Sequence, residues 1–347
     1  MKILSIGTGT PSLEMTNEDI LADIRSINTD VPGKVVEQYI RILRTLLNKT
    51  GSQTRFWRNR ESGETTNQLL LTAMESALAE SGLQAADIDM LIYCGVGRGF
   101  IEPGNAYFCA KMMDMKCACF DISDACMSYV RALEIAQGYL ASDKYKNILI
   151  VNAECTVYEC GYPDLFKINS LDQLQYTYPA YTIGEAATAT VVSSDGDDWT
   201  FDYDSVPGLA DLCTIPAAGY KSFMSSNDNV GQNGVGHFVS FSSDLFKNAV
   251  EGMTRLARNV VTDISGPDIW FPHTASEAPC NEIAELLGID KDSMYIDTFR
   301  KHGNLASASI PMAMSTAYAE SKLKRGMKVA LAPASAGMSF AIVQFTY

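Results

Sequence analysis

Histidine is scarce in this chain, with only His237, His273 and His302 among 347 residues. Nine cysteines are present, at 94, 109, 117, 119, 126, 155, 160, 213 and 280, yet no two are spaced as CxxC. A Cys/His zinc site therefore has little support, and no metal is expected. In a reducing compartment most of these cysteines read as free thiols, packed as small apolar groups. No apolar run reaches the roughly 18 residues needed to span a bilayer. The apolar stretch over 1–7 is too short for a secretory signal and reads as a first strand ending in a glycine turn, so the expected location is cytoplasmic. Cations are outnumbered, 27 Lys+Arg against 41 Asp+Glu, for a net charge of −14. Unless a local basic patch exists, that balance argues against nucleic acid or an anionic membrane as partner. The glycine-rich run 231–236 follows no strand and opens no helix, so it is not a dinucleotide site.

What is present is a repeated order of elements. In the first half, a helix pattern over 69–81 precedes a buried strand over 87–94. A helix over 103–113 then precedes a strand over 119–122. In the second half, helix 245–261 precedes strand 267–273, and helix 279–287 precedes strand 294–297. Cys126, a helix over 128–141 and the strand 147–151 match Asn304, a helix to about 321 and the strand 327–331. Each half closes with a glycine and an apolar strand, 184–192 and 337–345. Strands alternating with helices imply α/β architecture with parallel, buried sheets, and two such units back to back make five layers. The halves are expected to meet in the polar turn at 193–198, giving units 1–195 and 196–347. The irregular stretches 155–182 and 202–237 are long for compact connections and mark functional or partner surfaces.

Cys126 falls between a strand and a helix with apolar residues at Val130, Leu133, Ala136 and Leu140. The partial positive charge of a helix start favours thiolate over thiol. Its unpaired N–H groups can receive a developing oxyanion. Small neighbours at Ser123, Ala125 and Ser128 permit a sharp strand-to-helix turn. Taken alone, Cys126 reads equally as one buried thiol among nine. His273 taken alone reads as a satisfied core histidine at a strand end.

Three segments in order resemble the β-ketoacyl-acyl-carrier-protein synthase III branch of the thiolase superfamily, over essentially the whole chain. They are Asp121-Ile122-Ser123-Asp124-Ala125-Cys126, Trp270-Phe271-Pro272-His273, and the run 302–311, which begins His302-Gly303-Asn304. The resemblance implies a thiolase-like five-layer αβαβα fold of two pseudo-symmetric halves. It implies that Cys126 accepts an acyl group as a thioester, while His273 and Asn304 hold the carbonyl oxygen of a second substrate. His302 is then structural or a neighbour of the site rather than a second catalyst. Two segments depart from the family. The closing loop reads Ala334-Ser335-Ala336-Gly337 in place of successive glycines; the resemblance implies an oxyanion hole of the backbone N–H groups of Cys126 and Ala336. Glu185, in Ile183-Gly184-Glu185-Ala186-Ala187, is expected to be structural.

The segment Arg98-Gly99-Phe100-Ile101-Glu102-Pro103, with Thr54-Arg55-Phe56-Trp57, resembles the head-to-head condensing branch of olefin-pathway enzymes and pyrone synthases. There a glutamate from the neighbouring subunit enters the active site, which implies a homodimer and makes Glu102 a catalytic base. A second substrate that keeps its carboxyl carbon needs such a base to take its α-proton. Glu102 also reads simply as an acid before a helix start. The resemblance implies acyl-CoA or acyl-carrier-protein thioesters as substrates and no permanently bound cofactor. Arg55 and Arg58, with Arg60, and Arg255 and Arg258, with Lys247, form cation clusters for such anionic carriers, or solvated faces. Candidate acyl-tunnel linings are 107–115 and 176–181, which read equally as ordinary core. The competing readings are decarboxylative condensation with a malonyl thioester, acyl transfer to an alcohol or amine, and an inactive thiolase-fold partner in a heterodimer.

Overall fold

The computed structural model describes residues 1–197 and 199–347; Asp198, in the polar turn at 193–198, lies outside the described residues. Two five-stranded sheets dominate. The first runs, in spatial order, Lys2–Gly9, Ala186–Ser193, Asn147–Glu154, Met90–Cys94, Ala118–Ile122. The second runs Thr200–Ser205, Ser339–Thr346, Lys328–Ala332, Ile269–Pro272, with the short Ala334–Ser335 beside Ser339–Thr346. Read along both sheets, the first two ladders are antiparallel and the third is parallel. The all-parallel expectation is therefore corrected to mixed sheets. Each closing strand folds back antiparallel between its neighbours. In the first sheet the fourth ladder, Met90–Cys94 with Ala118–Ile122, is parallel. In the second it shrinks to a single parallel bridge, Trp270 to Met294. The strand read over 294–297 is thus replaced by a 3-10 turn, Lys291–Ser293, and the helix Asp297–His302.

Side chains alternate across each strand, and that alternation builds the layers. Met90, Ile92 and Cys94 face inward with Ile148 and Ile150, meeting Val130, Leu133 and Ala136 of the helix Ser128–Leu140. Ile269, Phe271, Val329 and Leu331 of the second sheet enter the same core with Ile310, Met314 and Ala317 of the helix Ser309–Ala319. The intervening Leu91, Tyr93, Leu149 and Val151 face outward onto the helices Thr66–Ser81 and Asn105–Met112. Trp270, Ala330 and Ala332 likewise face Ser242–Val260 and Glu277–Leu287. The order helix, sheet, helix, sheet, helix is the five-layer αβαβα arrangement. Gly7 lies inside the first strand, not in a turn. A Cβ there would strike the Ala73 carbonyl, so glycine lets the helix Thr66–Ser81 seat on the sheet. That helix is bounded locally by a capping box of Thr65 and Gln68 and a left-handed Gly82.

Two further helices follow the first strand, Asn17–Ile27 and Gly33–Thr50. With the ribbon of Leu13–Thr16 and Thr54–Trp57 they pack on the irregular 157–181 stretch. Tyr39 and Tyr181 share a buried hydroxyl contact of 2.7 Å at the centre of that cluster. This cap forms one wall over the end of the first sheet. Among the described residues, no helix is long and apolar enough to cross a membrane.

Candidate active site

The first sheet leads into the site through the end of Ala118–Ile122 and a sharp turn. Ala125 adopts φ +44°, a left-handed conformation costly for any residue with a Cβ, and it immediately precedes Cys126. The turn is over-determined by its bonds. Asp124 N–H donates to Ser128 Oγ at 2.8 Å, Ser128 Oγ donates to the Ala125 carbonyl at 2.7 Å, and Asp124 pairs with Arg131 at 2.9 Å. No local side chain caps the helix Ser128–Leu140. Its Met127 N–H instead donates to Ser335 Oγ, at 3.2 Å, from the other half of the chain.

Burial pushes the Cys126 thiol well above the usual cysteine value, with Cys213 and Glu154 nearby adding to the shift and Ser335 opposing it. Burial thus opposes the thiolate that the helix start favours. Desolvation outweighs the helix end here.

His273 follows the strand Ile269–Pro272, and Ser309 Oγ lies 3.2 Å from its Nδ1, leaving Nε2 for the cavity. Burial lowers its pKa to about 4, so the imidazole is neutral. Asn304 is placed by backbone bonds to the other half: its N–H donates to Thr182 O at 2.9 Å, and its carbonyl accepts from Gly184 N–H at 3.0 Å. Its Oδ1 accepts from Ala306 N–H at 2.9 Å, which leaves the amide nitrogen as the group free to donate. Ala336 does not share the positive φ of the following Gly337, so the Gly→Ala difference in the closing loop keeps an ordinary backbone there.

Cys126, His273, Asn304, Ser335 and Ala336 all line one cavity of about 330 Å³ drawn from both halves. Its deeper wall is apolar, with Leu165, Phe166, Phe238, Leu245, Met253 and Ile283. The segment 176–181 contributes Tyr178, Pro179 and Ala180, whereas 107–115 contributes nothing and packs outside the first sheet. The tunnel reading of 107–115 is thus corrected. The irregular stretches 155–182 and 202–237 supply Thr156, Val157, Cys213 and Ile215 to the wall.

Other candidates fall elsewhere. Arg55 is fully buried, donating to Asn17 Oδ1 at 2.8 Å and Ser52 Oγ at 3.2 Å. Arg58 is buried against Glu185 at 2.9 Å and Glu159 at 2.6 Å. Neither offers a surface cation to a carrier, which corrects that reading. Both are consumed in fixing the ribbon that carries the cap. Glu185 is indeed a structural partner, accepting from Arg58 and from Val157 N–H. Arg60 and Arg255 are exposed but paired, with Glu159 and Asp204. Arg258 donates to the Leu286 carbonyl at 3.1 Å, and Lys247 is exposed. His302 is buried, lies tilted against Phe56 with ring centroids 5.1 Å apart, and does not line the cavity. Glu102 is also outside the cavity, on an exposed loop beside Phe100 and a fully exposed Ile101.

Three wall residues escape the sequence reading: Ser335, Cys213 and Glu154. Glu154 had a signal, an acid closing an apolar strand. The other two become visible only when the halves close on each other.

Two family models match the chain. The 3-oxoacyl-[acyl-carrier-protein (ACP)] synthase III model covers residues 120–205 and its C-terminal model covers 261–347. The β-ketoacyl-[acyl-carrier-protein] synthase III of Rickettsia rickettsii (strain Sheila Smith) is 28% identical over 284 residues, 80% of this chain and 83% of the relative. That of Rickettsia felis is 27% identical over 283 residues, with the same coverage. Among solved structures, 3-oxoacyl-[acyl-carrier-protein] synthase III from Aquifex aeolicus VF5 superposes with TM-score 0.79 at 24% identity, covering 100% of this chain and 99% of that one. Cerulenin-bound OleA of Xanthomonas campestris superposes with TM-score 0.82 at 18% identity, covering 99% and 96%. The protein is an acyl-transferring condensing enzyme of the thiolase superfamily. Within it, the chain is similar to the 3-oxoacyl-[acyl-carrier-protein] synthase III family over residues 120–205 and 261–347.

Proposed function

We propose that this condensing enzyme joins two acyl thioesters without decarboxylation, through an acyl-Cys126 intermediate, in a homodimer whose partner subunit supplies Glu102 to each site. The substrates are acyl-CoA or acyl-carrier-protein thioesters, and the catalytic division is 1–195 for the nucleophile and 196–347 for His273 and Asn304.

Cys126 Sγ attacks the first thioester and releases its carrier as a thiol. Glu102 then takes the α-proton of the second thioester. The Asn304 amide and the His273 Nε2–H, with Ser309 donating to Nδ1, hold the enolate oxygen. The α-carbon attacks the acyl carbonyl, the N–H groups of Cys126 and Ala336 hold the new oxyanion, and collapse expels the Cys126 thiolate, which is reprotonated. Enclosure of the cavity from water strengthens each of these bonds.

The observation that carries the dimeric, base-assisted form is the loop at 98–103. It bears an acid beside Ile101, 100% exposed, and Phe100, 44% exposed. Phe100 stacks on Phe108 at 4.0 Å, whereas Ile101 is bare to water, and a second copy's cavity mouth would bury it. The adjoining strand Ala118–Ile122 is at the end of its sheet, and an exposed edge of this kind favours pairing with another copy. The apolar wall suits an alkyl chain, and the fold neighbour OleA has been crystallised with lauric acid and lauroyl-CoA.

Glu102→Gln keeps shape and hydrogen bonding but removes the base. The variant should load Cys126 normally by intact mass, lose condensation by about a hundredfold or more, and stop exchanging the α-hydrogen of bound thioester with heavy water. If radiolabelled malonyl carboxylate is released in step with product, at equal rates in wild type and variant, the reaction is decarboxylative and Glu102 is not its base. Sedimentation at micromolar concentration should show a dimer; a monomer alone would remove the source of a base supplied in trans.

A further inference from the structure

Among the described residues, Glu154 is the one carboxylate in the wall of the cavity. It ends the strand Asn147–Glu154 and is 2% exposed. No cation neutralises it. Four donors converge on it instead: Val96 N–H at 3.1 Å, Gly97 N–H at 2.9 Å, Ser307 N–H at 3.3 Å and the Ser307 hydroxyl in a short bond. A buried carboxylate is costly unless its lone pairs are filled, so this arrangement is built around the acid. Burial still holds its pKa above the usual glutamate value, against the pull of all four donors.

The donors belong to two loops that carry site residues. Val96 and Gly97 begin the loop that leads to Glu102. Ser307 lies three residues after Asn304, in the turn where Ala306, at φ +45°, orients the Asn304 amide. Gly95 shows how tightly the first loop is drawn in: its φ is +126°, and a Cβ there would sit 2.6 Å from Glu154 Oε1 and 2.9 Å from Ser307 Oγ. Behind the carboxylate runs a buried chain of one polarity. Thr188 donates to Asn152 Oδ1 at 2.5 Å, Asn152 donates to Ser307 Oγ at 3.1 Å, and Ser307 donates to Glu154. The chain crosses from strands of the first half to the Asn304 turn of the second, and only an acceptor can end it.

We propose that Glu154 is a positioning residue for condensation, clamping the Asn304 turn and the root of the Glu102 loop into one frame around Cys126. It transfers no proton itself. The inference rests on the ketosynthase reading, because its effect is on the step after acyl loading. Holding donors to within a fraction of an ångström is what lets them act on a transition state.

The test uses the full-length enzyme, a long-chain acyl-CoA as probe, and separate measurements of acyl-Cys126 formation by intact mass and of condensed product. Glu154→Gln places an amide NH2 where only acceptors fit. It should load within about threefold of wild type while kcat for condensation falls at least tenfold with a smaller change in KM. Ser307→Ala removes only the hydroxyl arm and is the milder variant. It should show the same split with a smaller loss, and the double variant should be no slower than Glu154→Gln, because both act through one contact. If Glu154→Gln does not fold, Ser307→Ala alone decides. Ser307→Ala condensing within twofold of wild type would overturn the proposal. So would loading and condensation falling by equal factors in both variants, the mark of a purely structural role. A wild type that loads Cys126 but condenses no thioester would overturn the ketosynthase reading, and this inference with it.

Discussion

Cys126→Ala will abolish acyl loading, and with it all product, in a protein that still folds. The turn that presents Cys126 is held by its neighbours: Ala125 in its left-handed conformation, Asp124 and Ser128 bonded to each other, and Met127 capped by Ser335. None of those bonds uses the sulfur, so truncation to alanine leaves them standing. The cavity contains three other thiols, Cys160, Cys213 and Cys280, and burial raises the first two to about 11 and the third to about 12. Resting acidity does not distinguish Cys126 from them, since its own pKa is raised as well. What distinguishes it is position, at a helix start whose backbone N–H groups can take up the charge of a tetrahedral intermediate. Intact-mass spectrometry after incubation with a panel of acyl-CoAs is the measurement. An acyl adduct persisting on the variant would mean that one of the three neighbours carries the chain.

Second in size is the loss expected from His273→Ala and Asn304→Ala. Each should load Cys126, though more slowly, and then condense about a hundredfold or more slower than wild type, the scale for losing one oxyanion donor in a dry site. The double variant should lose less than the sum, because both groups serve one enolate. The pH dependence follows from the direction of the histidine shift. With its pKa lowered to about 4, His273 stays neutral on acidification from pH 8 to 6 and keeps its donor to the enolate. Condensation by pre-loaded enzyme should therefore show no acid limb near 6.5 from this residue. A limb there that disappears in His273→Ala, or near-wild-type condensation by either single variant, would refute the assignment.

The strand ends were legible because their chemistry is local. His273 directly follows an apolar strand and Cys126 lies in the turn between a strand and a helix, while the repeated order of elements paired 126 with 304, which itself follows the helix Asp297–His302. Local pattern also makes the helices at 17–27 and 33–50 visible in retrospect, with Ile20, Leu21 and Ile24, then Tyr39, Ile40, Leu43 and Leu47, all buried. They have no counterpart in the second half, so the repeated order of elements does not announce them. The charged residues were less legible. Arg55 and Arg58 look like a surface cluster until their partners are known, and those partners are Asn17, 38 residues away, and Glu185, 127 residues away. The stretch 294–297 has the apolar content of a strand, but Tyr295 and Ile296 are used as core beneath a helix start, so only Met294 pairs. Burial against solvent, which decides the state of Cys126, is likewise a property of the assembled layers and not of the turn.

The Ser335 cap on Met127 has a consequence in time. The two groups are 208 residues apart in sequence. On the ribosome the nucleophile turn emerges long before the hydroxyl that completes it, and domains settle in order from the N-terminus. Until then the helix start behind Cys126 lacks its Ser335 cap, and the inner face of the first sheet lacks the second-half residues that share its core. The reactive site is finished only when residues of the second half have been made, so readiness for chemistry comes well after the nucleophile itself.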